Sequence, residues 1–124
     1  MNINIKTTNI STQGDVEAYL IKKLDSLNRL VDFNADNVVA QAEVAKTTNH
    51  HKSGDIFRAE INVRIGKDTF RVVSEKDDIY AAIDDMKDEL SREITKEKDR
   101  HVSEVRRDGA EFKNAIRNQD HEQG

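Results

Sequence analysis

Two adjacent aspartate pairs, Asp77-Asp78 and Asp84-Asp85, one histidine pair, His50-His51, and scattered lysines and arginines are the chemistry-bearing groups of this 124-residue chain. Neighbours on a helix point about 100° apart, because a turn takes 3.6 residues. Neither acid pair can therefore converge on one substrate atom, and both read as capping or solvated positions. His50-His51 sits in a polar stretch, with neither a spaced second histidine nor a cysteine beside it, so it lacks the frame of a metal site. His101 and His121 lie elsewhere. No cysteine is present, and there is no Gly-x-Ser-x-Gly, no phosphate-binding glycine loop and no dinucleotide fingerprint. No catalytic residue, metal or cofactor is expected.

What remains is distributed base. Lys22, Lys23 and Arg29 lie off the apolar stripe of a first helix. Arg92, Lys96 and Arg100 recur at i, i+4 and i+8 and so line one face of a second. Cations on a rigid element can contact phosphates along a backbone, where Coulomb attraction and counterion release both favour binding. Lysine and arginine also serve simply to solvate helices, and spacing alone does not choose between the two roles. The net charge of −4 does not choose either, because it is unevenly spread. Residues 1–76 hold 11 Lys/Arg against 10 Asp/Glu, residues 77–100 hold 5 against 9, and residues 101–124 hold 4 against 5. Acid is concentrated in one segment, which leaves room for a basic face elsewhere. Arg58, Arg64 and Arg71 fall on a strand face near Glu60 and Glu75 and carry less weight.

The elements that must position these groups follow from periodicity. Hydrophobic residues make up 35% of the chain and charged residues another 35%, which suits one small core and a segment outside it. Asn2 to Lys6 alternates as a first strand. Thr12 and Asp15 resemble a capping box, opening a helix whose apolar stripe is Val16, Leu20, Leu24, Leu27 and Val31. Val38, Ala40, Ala42 and Val44 share one side of a second strand, and Thr47 to Asp55 reads as a loop. Phe57, Ala59, Ile61, Val63 and Ile65 form one face of a third strand, which Gly66-Lys67-Asp68 turns into a fourth over Thr69 to Ser74. Ile79, Ile83, Met86, Leu90 and Ile94 mark a second helix beginning near Asp77-Asp78. Its early acid and late base complement the helix dipole. The order β-α-β-β-β-α predicts an α+β fold, a four-stranded sheet with two helices packed on one face. Its first and second strands should lie parallel. Residues 1–100 are expected to form this domain and residues 101–124 a polar, flexible tail. No signal segment or apolar run of membrane-spanning length is evident, which suits a cytoplasmic protein.

The segment Asp78-Ile79-Tyr80-Ala81-Ala82-Ile83-Asp84 resembles the signature that opens the second helix of the ribosome hibernation-promoting factor and ribosome-associated inhibitor family. The early Ile-x-Ile strand and Lys22-Lys23-Leu24, followed by Leu27 and Arg29, are similar to the same family, and the likeness covers roughly residues 1–100. It implies a domain like those that bind double-stranded RNA. It also implies docking in the messenger and transfer RNA channel of the small ribosomal subunit, on 16S rRNA, alone or within the intact ribosome. Lys22, Lys23, Arg29, Arg92, Lys96, Lys98 and Arg100 would then contact phosphates, while Tyr80 and Asp84 would serve packing, a helix-start hydrogen bond or binding. No enzyme activity, DNA or membrane partner is implied, and a monomer is expected off the ribosome. The 24 residues after Arg100 suit the family's short forms. Three departures stand out: Glu89 where many members have lysine, a longer Thr47–Asp55 loop, and the acidic net charge. A protein-interaction module docking through its acidic second helix and a general double-stranded-RNA binder are the rival readings.

Overall fold

The computed structural model describes residues 2–48 and 54–108. Its elements run β1 (Ile3–Thr8), α1 (Gln13–Asp25), β2 (Val38–Thr48), β3 (Asp55–Ile65), β4 (Asp68–Lys76) and α2 (Ile79–Asp108). This is the expected β-α-β-β-β-α order. The chain divides into two compact units, Met1–Glu93 and Ile94–Gly124. The first holds the sheet, α1 and the opening turns of α2; the second holds the remainder of α2. Helix continues past Arg100 to Asp108, and residues 109–124 of the expected tail lie outside the described residues. Among the described residues no helix is long and apolar enough to cross a membrane.

The sheet order is β1-β2-β3-β4, with β1 parallel to β2 and the other pairs antiparallel. Side chains alternate between faces along a strand, so register fixes which rows share a face. Ile3 lies opposite Ala40, Ala40 opposite Val63, and Val63 opposite Phe70. The next inward row is Ile5, Ala42, Ile61 and Val72. Ala40, Ala42, Val44, Ala59, Ile61, Val63 and Val72 are buried, whereas Gln41, Arg64 and Arg71 on the opposite face are exposed. Leu20 and Leu24 of α1 and Ile83, Met86 and Leu90 of α2 are fully buried, so both helices cover the same sheet face. Each such side chain contributes about 1.5–3 kcal/mol on burial. Between β3 and β4 the loop is shorter than expected, only Gly66 and Lys67, since Asp68 already pairs with Ile65. Gly66 sits at φ 61, a left-handed angle that glycine adopts without the Cβ penalty, as the first position of a tight hairpin requires.

Three local expectations are corrected. First, α1 ends at Asp25 rather than near Val31. From there the chain tightens into successive three-residue turns, Leu27 N–H donating to Leu24 O at 2.9 Å and Leu30 N–H to Leu27 O at 2.8 Å. Leu27 and Val31 remain buried through these turns, so the apolar stripe outlasts the helix that suggested it. Second, no capping box forms: the Thr12 side chain makes no capping hydrogen bond. Third, β2 and β3 pair as far as Thr48 opposite Asp55, shortening the loop, and His50-His51 lie outside the described residues. As expected, α2 begins beside Asp77-Asp78: it starts at Ile79 with Asp78 as its cap, the Asp78 Oδ2 accepting the Ala81 N–H at 2.9 Å.

Candidate nucleic-acid interface

The last turn of α1 carries Lys22 and Lys23, where cations offset the negative end of the helix dipole. Lys22 is exposed and has no ion-pair partner among the described residues. Arg29 is likewise exposed, but it stands in the turns after α1 rather than on the helix. Lys23 behaves differently. Its ammonium lies 3.3 Å from Asp84 Oδ1 on α2 and 5.3 Å from the centre of the Tyr19 ring, within cation–π range.

The same carboxylate oxygen accepts the Tyr19 hydroxyl at 2.7 Å. Tyr19 in turn meets Tyr80 edge to face, with centroids 4.8 Å apart and planes at 80°, a favoured aromatic geometry. Tyr19, Lys23, Tyr80 and Asp84 thus form one clasp between α1 and α2. The hydrogen bond to Asp84, aided by burial, raises the Tyr19 phenol above its ordinary value. Asp84 also raises the Lys23 ammonium, through the contact between them and its charge. Both groups are held in the states that maintain the clasp. Tyr19 was not among the residues expected at the site. The signal for it is spacing: Tyr19 and Lys23 stand four apart on one helix, as do Tyr80 and Asp84 on the other, so each pair projects from a single face.

The acid of α2 is largely engaged within the protein. Asp78 caps the helix, Asp84 serves the clasp, and Asp85 Oδ2 accepts the buried Ser74 hydroxyl at 2.7 Å. Lys87 contacts Asp88 at 2.9 Å and holds that carboxyl below the usual range. Glu89 pairs with Arg92 at 2.6 Å. Arg92 lies about 12 Å along the helix from Asp84, from the rise of 1.5 Å per residue. In the second unit, Arg100 Nε donates to Glu97 Oε2 at 3.1 Å. Lys96 and Lys98 are exposed, without an ion-pair partner among the described residues. On the outer sheet face, Glu60 is gripped by Arg71 at 2.8 Å and Arg58 at 2.9 Å. Those contacts, the Arg71 hydrogen bond foremost, hold its carboxyl below the ordinary value. Arg58 and Arg71 on that face are thus tied to Glu60, whereas Arg64 is exposed without an ion-pair partner among the described residues, as are Lys22 in the last turn of α1 and Arg29 after it.

Residues 3–102 match the family model described as sigma 54 modulation protein / S30EA ribosomal protein. The chain belongs to this family. It is the hibernation-promoting factor family resembled by the Tyr80 segment. Among solved structures, the chain is similar to the N-terminal domain of Protein Y from Thermus thermophilus at 30% identity. That match covers 77% of this chain and 98% of the other, with a TM-score of 0.58. A ribosomal subunit interface protein from Coxiella burnetii shares the fold at 18% identity, covering 79% and 98%, also with a TM-score of 0.58. No curated protein matches. The chain is thus a member of a ribosome-associated, hibernation-type family.

Proposed function

We propose that this protein binds the small ribosomal subunit in the messenger and transfer RNA channel and holds ribosomes inactive under stress or in stationary phase. The family match across residues 3–102, spanning every strand and α1, is the observation that carries this reading. The disposition of charge supports it. Lys22 and Arg29 supply base from α1 and the turns after it, Lys23 lies beside them against Asp84, and Arg92, Lys96, Lys98 and Arg100 supply base from α2. Their partner is 16S rRNA, read through its phosphates rather than its sequence, as a helical RNA surface is read by shape and charge. The action is steric and uses no catalytic group or cofactor, and its setting is the cytoplasm. The rival in which acidic α2 docks on a basic protein loses support, because Asp78, Asp84, Asp85, Asp88 and Glu89 already have partners within the chain.

Co-sedimentation with purified ribosomes and separated subunits, at low and high salt, tests the proposal. Binding to the small subunit and the intact ribosome, weakened by salt and by charge reversal at Lys22, Arg92 and Lys96, is the expected result. Absence of co-migration at low salt refutes it. Equal affinity for arbitrary RNA duplexes would instead make the chain a general double-stranded-RNA binder.

A further inference from the structure

We propose that Lys23 is a positioning residue rather than a phosphate ligand: with Tyr19, Tyr80 and Asp84 it fixes α1 against α2, so that Lys22 and Arg29 are held in place relative to Arg92. This deepens the ribosomal reading above and rests on it.

The geometry separates Lys23 from its neighbour. Lys22 is exposed, whereas the Lys23 side chain is 30% exposed, with its ammonium against Asp84. To reach a phosphate, Lys23 would have to leave both that carboxylate and the face of Tyr19. Asp84 Oδ1 is shared between the ammonium at 3.3 Å and the Tyr19 hydroxyl at 2.7 Å, so one carboxylate oxygen ties two α1 side chains to α2. Tyr80 completes the contact through its ring, edge to face with Tyr19. No other cross-helix ion pair joins α1 to α2 among the described residues. Rigid placement matters for a polyanion, because phosphates lie at fixed intervals and a cation free to swing forfeits part of its gain to ordering.

The two roles predict opposite effects of one substitution. If Lys23 were a phosphate ligand restrained by Asp84, Asp84→Asn would release it, tighten ribosome binding and steepen the salt dependence by about one unit of log K against log salt. As a positioning residue, Lys23 makes the same substitution weaken binding by roughly two- to fivefold with the salt slope unchanged. Tyr19→Phe removes only the hydroxyl and weakens binding in the same way. Lys22→Met is the reference for a true phosphate contact: it weakens binding and flattens the slope by about one unit.

The experiment is titration of purified ribosomes with the full chain and these three variants across a salt series. Thermal unfolding of each variant fixes a temperature at which all are folded. Weaker binding of Asp84→Asn and Tyr19→Phe at constant slope upholds the clasp. Tighter or unchanged binding of Asp84→Asn, or a changed slope in Tyr19→Phe, overturns it while leaving the ribosomal reading intact. Should Asp84→Asn fail to fold, Tyr19→Phe decides alone by the same criteria. Failure of the unmodified protein to bind at low salt overturns the ribosomal reading, and the clasp's role in it as well.

Discussion

Ser74 offers a direct measure of how α2 is fastened to the sheet. It is the buried polar residue on the inner face of β4, 4% exposed, and its hydroxyl donates to Asp85 Oδ2 at 2.7 Å. Replacing it with alanine removes a hydrogen bond to a carboxylate and leaves that oxygen half-buried without its donor. Hydrogen bonds to charged groups contribute about 1.5–3 kcal/mol. Water reaches part of Asp85, so a loss of about 1–2 kcal/mol is expected for Ser74→Ala. For a fold of this size each kcal/mol moves the melting temperature by about 4–8 °C, which places the expected fall at about 4–16 °C in a thermal melt followed by circular dichroism. A double-mutant cycle with Asp85→Ala isolates the pair and should return a coupling of about 1 kcal/mol. A melting temperature within 2 °C of the parent (well under the ~4 °C expected per kcal/mol), or additive single substitutions, would refute the reasoning. The fastening of α2 would then rest on apolar packing alone.

Three further outcomes are expected. Glu89→Gln releases Arg92 from its 2.6 Å partner, and ribosome titrations should show binding tightened by roughly two- to fivefold with a steeper salt dependence; weaker binding would count against Arg92 as a phosphate contact. Ile61→Ala, at a fully buried position in a central strand, should cost about 2–5 kcal/mol in denaturant unfolding, and a loss under 1 kcal/mol would contradict the packing described. The Glu60 carboxyl is depressed by Arg71 and Arg58, so its stabilisation is present above the ordinary glutamate range and lost as pH falls through the depressed value; Glu60→Gln should flatten the acid limb of the stability–pH curve, and an unaltered limb would deny the fork any role.

The strands were legible because a two-residue alternation leaves only one way to bury the apolar row, and Phe57 to Ile65 shows it without interruption. Helix ends were less legible. Leu27 and Val31 keep the helical spacing, yet mixed turns, with Leu27 N–H on Leu24 O and Val31 N–H on Leu27 O, place them in the core equally well, so burial periodicity does not report where the regular helix stops. The Thr12–Asp15 pair has the right residue types, but capping depends on a rotamer and on backbone angles that spacing does not determine. At the candidate site, Lys22, Arg29 and Arg92 were visible as charges off the apolar stripes. Tyr19 was not, because its significance lies in a partner 65 residues away. Likewise, the count of acid in α2 suggested an acidic docking surface, while the structure shows most of it engaged locally.

The parallel pairing of β1 with β2 has a consequence for how the molecule assembles. Strands β2, β3 and β4 form a meander whose neighbours are joined by short connections, whereas Ile3 meets Ala40 only after α1 has been traversed. Contacts of long sequence separation are slow to form, because chain entropy is lost before they reward it. The meander with α2 is therefore expected to form early, with β1 docking onto its edge late. Native-state hydrogen exchange should find the β1 amides opening in a less stable cooperative unit than those of β3. The terminal strand would then be a subglobal element, able to detach while the remainder of the fold persists.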